Sequence, residues 1–224
     1  MDENGEPCVI CGHHTLWVPG ATEVIPPYWR FLDTWSTPAR ILDGSLHFAC
    51  LRTAPFAEAF RDELVTLLTA GPHSVEVRLA GFDAPVAVER NVPGYDPEPV
   101  FSGTACRIFG SPNGTRFLVV EEDGPWHPLR LDQARLLAAG EPVHGEVFDT
   151  YIELERPLTT AAEDLSFPEL VDALDLAAYY PDADAVQLTV FGYDTERQVL
   201  NYGTKAPLPI PAEAVEAVKD LLAP

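Results

Sequence analysis

Apolar and polar positions change rhythm along the chain, and the rhythm predicts an order of elements. Phe56, Phe60, Leu64 and Leu67/Leu68 recur at helical spacing. Thr53 is placed to cap that helix, Pro55 suits its first turn, and Gly71-Pro72 ends it. Just upstream, Arg40–Leu42 and Ser45–Phe48 flank the turn dipeptide Asp43-Gly44, a hairpin signal. From Ser74 to Leu131 short β-like runs alternate with turns: Val75–Leu79, Pro85–Glu89, Thr104–Phe109, Arg116–Glu121 and His127–Leu131. Asn113-Gly114 and Asp123-Gly124 are tight turns between the later runs, and Asn91–Pro99, with Pro93, Pro97 and Pro99, is a loop.

A short helix is expected from Asp132 to Gly140, then a strand over Glu146–Glu155. Ser166 caps the next helix, with Pro168 in its first turn and Glu169 three residues after the cap. Val186–Phe191 and Gln198–Tyr202 suit a hairpin around Asp194-Thr195, and Pro211 opens a final helix with Val215, Val218 and Leu222 on one face. Together these predict an α+β fold. Residues 1–72 form an N-terminal module, 73–145 a mixed, mainly antiparallel β-rich region, and 146–224 an acidic βαββα unit that can share one core with 73–145.

The hydrophobic share of 46% is that of a globular protein and excludes wholesale disorder. The charge narrows the picture further. Lys+Arg is 14 against Asp+Glu 35, a net −21. Such a chain repels phosphate backbones and anionic lipid, so neither nucleic acid nor a membrane is an expected partner, whereas a basic protein is. Acidity of this kind also serves plain solubility. The acid concentrates in the last third, where residues 141–224 hold 17 acidic and 4 basic residues. Only Lys205 and Lys219 are lysines, and the Arg, Ala, Pro and Gly usage has the look of a GC-rich bacterial coding bias. The acidic start, MDENGEPCVICG, has no secretory character, and no apolar run is long enough to span a bilayer. A reducing cytoplasm is the expected compartment.

Three of the four cysteines stand in a pattern. Cys8-x2-Cys11 is followed, after 35 residues, by His47-x2-Cys50. Zinc takes four nitrogen and sulfur ligands in a tetrahedron, and a C-x2-C turn lets two thiolates grip one ion. Gly12 follows the second cysteine, where the backbone must bend around the sulfur. Cys8, Cys11, His47 and Cys50 are therefore the predicted ligands of one structural zinc ion, with His13 or His14 as rivals for His47. Four protein ligands leave no open position for a reacting water, so the metal is expected to hold the fold. A knuckle, a hairpin and a helix carrying the second pair resemble the treble-clef zinc fingers, over about residues 6–70. The departure is the long segment 13–39, rich in aromatic residues. The uses of that group are too varied for the resemblance to fix a function.

Other constellations are weaker. Cys106, in a strand-like run, reads as a small core residue, and His73, His127 and His144 as exposed or capping residues. Gly110–Gly114 lacks the lysine and helix of a phosphate loop. Asp172, Asp175, Asp182, Asp184, Asp194 and Glu196 lie close in the sequence, with Tyr179, Tyr180, Tyr193 and Tyr202 among them. If they meet in space they make a surface for a basic partner. The expectation is a non-catalytic, zinc-stabilised acidic protein that binds a basic protein. In general character it is similar to the acidic immunity proteins of bacterial toxin systems. A hydrolase-type enzyme using His and carboxylates is the alternative. A zinc-finger regulator acting near nucleic acid is a third, which the charge opposes.

Overall fold

A computed structural model describes residues 6–25, 44–55, 57–58, 74–77, 86–89, 98–110, 114–122 and 125–223. The fold is mixed α+β, and every paired strand in it is antiparallel to its neighbours. The chain divides into two compact units. The described residues of the first lie within Met1–Pro26, Arg40–Ala54 and Pro142–Pro209, and those of the second within Pro55–Glu141 and Ile210–Pro224. Each of the three segments expected from the sequence contributes to both units. No helix among the described residues is long and apolar enough to cross a membrane.

The first unit opens with β1 (Thr22–Ile25), paired with β2 (Gly44–His47), which runs directly into the short helix α1 (Phe48–Arg52). The sequence suggested Arg40–Leu42 as the partner of this second strand. Those residues lie outside the described ones, and Gly44–His47 pairs instead with Thr22–Ile25, a strand that the sequence reading passed over. The long strand β9 (His144–Glu153) begins two residues earlier than expected. After it comes α3 (Phe167–Ala173), numbered to follow the helix α2 (Leu131–Ala138) of the second unit. Ser166 caps α3: its hydroxyl accepts from the Glu169 N–H, and the Glu169 carboxylate accepts from the Ser166 N–H at 2.8 Å. Asp175, in the left-handed conformation (φ +59°), ends that helical stretch, and the Leu176 N–H returns to the Val171 carbonyl.

Strands β10 (Gln187–Asp194) and β11 (Val199–Pro207) complete a three-stranded sheet in the order β10-β11-β9. Along β11 the side chains alternate. Leu200, Tyr202, Thr204 and Ala206 are buried, while on the other face Lys205 is exposed and Asn201 half-buried. Leu200 and Tyr202 join Ile152, Phe167, Leu170 and Val171 in the core, each large apolar side chain stabilising by roughly 1.5–3 kcal/mol. Leu16 and Val18 belong to the same core, so the segment after the knuckle is built into the sheet unit. Gly145 permits the close approach: a Cβ there would stand 2.3 Å from Pro19 Cβ.

In the second unit, β5 (Phe101–Ser102), β6 (Cys106–Gly110), β7 (Arg116–Glu121) and β8 (Trp126–Arg130) form a meander in chain order. A separate pair, β3 (Ser74–Val77) with β4 (Val86–Glu89), matches two expected runs where they are described. Helices α2 and α4 (Ala212–Leu222) pack on one another, α2 against β8 and α4 against β6. Buried residues come from both faces of the meander, Cys106, Ile108 and Val119 on one and Phe109, Leu118 and Val120 on the other. The expected helix over Phe56–Leu68 lies almost wholly outside the described residues; residues 57 and 58 are helical.

Candidate metal centre

Cys8 and Cys11 sit in a small turn. The Cys8 N–H donates to the His13 carbonyl at 2.7 Å, the Gly12 N–H to the Cys8 carbonyl at 2.8 Å, and Pro7 pairs with His14. Gly12 turns the chain at φ +77°, a conformation that costs other residues strain. The Val9 N–H donates to the Ser45 carbonyl at 2.9 Å, which ties the turn to β2. His47 ends β2 and Cys50 lies one turn into α1. The junction of strand and helix therefore brings the second pair to the first.

One ligand atom from each of Cys8, Cys11, His47 and Cys50 lies within 4.8 Å of all the others. Cys11 Sγ and Cys50 Sγ are 3.7 Å and 3.8 Å from His47 Nδ1. Metal–ligand bonds of about 2.0–2.3 Å give a tetrahedron with edges of roughly 3.5–3.8 Å, so these spacings suit a small divalent ion. The His47 ring is set for the task. Its Nε2 stands 3.1 Å from the His14 carbonyl, which can only accept. The proton therefore sits on Nε2, and Nδ1 turns a free lone pair toward the sulfurs.

The thiols are held unequally. Burial works against the Cys8 thiolate, but His47 and the backbone N–H groups of Cys11, His47 and Ile10 outweigh it and lower the pKa. At Cys11 burial is likewise overcome, by the His13 N–H and the Tyr179 hydroxyl among others. Cys50 moves the opposite way, raised by burial and then by its sulfur neighbours. Two thiolates so close oppose a third, and a cation among them removes that opposition. The set can hold a metal ion.

Sequence reasoning missed the wall of this site. Tyr179 stacks on His47 with ring centroids 4.3 Å apart and planes 11° from parallel. Tyr180 meets the same ring edge-on at 5.5 Å. The Tyr180 hydroxyl donates to the Leu16 carbonyl at 2.8 Å and accepts from the Leu16 N–H at 2.6 Å. Of the four tyrosines placed among the acidic residues, Tyr180 and Tyr202 are core residues, whereas Tyr179 and Tyr193 are half-buried and the Tyr193 hydroxyl donates to Gln198. The available signal was spacing from leucines: Leu176 stands four residues before Tyr180 and Leu200 two before Tyr202, and both are buried.

The two rival ligands are elsewhere engaged. His14 offers its backbone, and His13 lies 5.4 Å from the Tyr179 ring; both are exposed and neither joins the four-atom set. Together they line a cavity of about 790 Å³ with Glu153, Glu155, Asp172 and Asp175. Asp182, Asp184, Asp194 and Glu196 do not line it. Asp182 and Asp184 are exposed around a 3-10 turn, and Asp194 accepts from the Glu196 and Arg197 N–H groups within its own hairpin turn.

In the second unit, Cys106 is buried and its thiol is pushed up to about 11 by burial, then by Glu213 and Glu121, as an inert core residue would be. His127 departs from the expected exposed or capping role. It is buried on β8, with Nε2 3.0 Å from the Glu121 carboxylate, because it occupies an inward position of a sheet covered on both faces. His144 is exposed, and His73 lies outside the described residues. Comparison with protein-family models, with curated proteins and with solved structures gives no match.

Proposed function

We propose that the chain is a non-catalytic acidic protein whose first unit is closed by one structural zinc ion and binds a basic protein partner. Three sulfurs and one imidazole are the donor set that zinc favours, and with four protein ligands no position is left for a reacting water. N–H donors aimed at Cys8 and Cys11 support the thiolate forms that zinc requires. The order knuckle, β1–β2 hairpin and α1 supports a treble-clef arrangement of the ligands.

The observation that carries the partner reading is the cavity beside the metal centre, where Asp172 and Asp175 join Glu153, Glu155 and Glu169. A rim of carboxylates attracts Lys or Arg side chains and speeds their capture. An immunity protein that neutralises a basic toxin is one form of this activity. The test is co-purification of a basic partner followed by titration. Raising the salt from about 0.05 M to about 0.5 M should weaken binding tenfold or more, and the double substitution Asp172→Asn/Asp175→Asn should weaken it at low salt. Asn tolerates the left-handed conformation at 175, so the fold survives the change. Binding indifferent to both salt and these substitutions would remove the reading.

A hydrolase-type enzyme draws on the same cavity, since His13 and His14 stand there among carboxylates. The lowered pKa of Glu169 there has a structural cause, its hydrogen bonds with Ser166. Turnover of ester or phosphate probes that disappears in His13→Asn and His14→Asn variants would shift the balance to an enzyme.

A further inference from the structure

We propose that the metal centre is a latch for residues 174–186, with Tyr179 as the linking residue. Metal binding holds this acid-bearing segment in place, and loss of the metal releases it.

The segment is held by side chains rather than by regular backbone pairing: Leu176 and Tyr180 are buried, Tyr180 bonds Leu16, and Leu174, Ala183 and Val186 pack on the core. Between α3 and β10 the chain makes two 3-10 turns, Ala177–Tyr179 and Ala183–Ala185. Its backbone hydrogen bonds are short-range: Tyr179 N–H to Leu176, Ala183 N–H to Tyr180, Ala185 N–H to Asp182. Such bonds fix few residues and are geometrically poor. Ala177, Ala178, Asp182, Asp184 and Ala185 are exposed. The deep anchors are Leu176 and Tyr180, both buried, with Tyr179 half-buried beside them.

Both tyrosines meet His47. Tyr179 lies flat on its ring and Tyr180 stands against it edge-on. The Tyr179 hydroxyl also lies beside Cys11, so one side chain neighbours two of the four ligands. A metal on Nδ1, together with the His14 carbonyl on Nε2, fixes the plane of the ring that Tyr179 stacks on. Without the metal the ring loses its restraint at Nδ1 and keeps only the His14 bond and the packing of the two tyrosines, and the three thiols lose the ion that fixes their positions. Linkage makes the coupling reciprocal: whatever factor the metal adds to the order of 174–186, that order returns to metal affinity. Asp175, Asp182 and Asp184 ride on this stretch. Where the partner reading holds, partner binding becomes metal-dependent; the latch itself requires only the metal.

The experiment uses the full chain and zinc alone. Zinc affinity is measured by competition with a chromophoric chelator in the unaltered protein, in Tyr179→Phe and in Tyr179→Ala. Hydrogen exchange at saturating zinc is then followed in peptides covering 174–186 and, as an internal reference, 199–207 of β11. Tyr179→Ala should lower zinc affinity by about 10–100-fold and speed exchange in 174–186 while β11 stays protected. Tyr179→Phe keeps the stack, loses the hydroxyl and should fall between the two. Zinc affinity within twofold of the unaltered protein in Tyr179→Ala, or unchanged exchange in 174–186, overturns the latch and leaves the zinc site standing. Loss of β11 protection together with 174–186 also overturns it, since the tyrosine would then be supporting the whole unit. A chain that takes up no zinc removes the zinc site and the latch together.

Discussion

The two units reach stability by different routes. The second is a four-stranded meander with neighbours adjacent in the chain and two helices packed together, a design in which apolar burial suffices. Both units join distant stretches, but in the second the four-stranded sheet comes from one continuous stretch, whereas in the first the knuckle, the β1–β2 pair and the three-stranded sheet draw on three separate ones. The first unit's sheet is only three strands, and residues 6–18 are attached by cross-chain bonds such as Leu16 to Tyr180 and Trp17 to Tyr202. Closing such long loops costs conformational entropy before any contact forms. A metal held by Cys8, Cys11, His47 and Cys50, which come from two of those stretches, would offset that cost. The hydrogen-bonded tyrosines do the same on a smaller scale.

The sharpest way to break the comparison is to remove a ligand. Cys8→Ser or Cys50→Ser should abolish zinc binding, a contribution of about 10 kcal/mol or more, and unfold residues 6–25 and 44–54. Hydrogen exchange should show β6–β8 still protected. Collapse of both units together would mean that their stabilities are not separable. Next in size are matched core deletions. Leu170→Ala in the first unit and Ile108→Ala in the second each remove a fully buried side chain. Each should cost about 2–5 kcal/mol in denaturant unfolding. Only Leu170→Ala should also lower zinc affinity, because only there is folding linked to the metal.

Smaller effects come from the caps. Ser166→Ala should cost the first unit about 1 kcal/mol in thermal or urea unfolding. In the second unit, the Glu213 carboxylate accepts from the Thr104 and Ala105 N–H groups at 3.0 Å and 2.8 Å. Those bonds hold its pKa below the usual glutamate value. A carboxyl depressed in the folded state stabilises above its unfolded pKa, and that contribution fades as pH falls through the lower, folded value. Glu213→Gln should therefore flatten the acid limb of the second unit's stability, with no change in the first. Circular dichroism against pH, with exchange to separate the units, reads it.

Local signals were legible where the physics is local. The Ser166–Glu169 capping box, the run Arg116–Glu121 and the helix opening at Pro211 depend on neighbours in the chain, and the structure has each of them. The strand Thr22–Ile25 escaped notice because it is short and its partner lies across residues 26–43. His127 was misjudged because a turn-like setting beside Pro128 says nothing about whether a sheet is covered on both faces. Of the acidic residues thought to gather, Asp172 and Asp175 share a cavity, whereas Asp194 is occupied in its own turn.

By itself the sequence picked out Cys8, Cys11, His47 and Cys50, the four residues that the structure brings close enough to hold an ion, because a tetrahedral ion demands donors of fixed type and paired donors announce themselves at x2 spacing. It also determined the charge and most strands and helices of the later chain, which follow from periodicity and turn chemistry. Only the tertiary structure decided what surrounds the ligands: that Tyr179 and Tyr180 wall the site, that His14 gives its carbonyl rather than its ring, and that Leu16 and Val18 enter the sheet core. Those contacts join residues far apart in the chain, and their energies depend on how separate elements pack, which no local pattern of residues encodes.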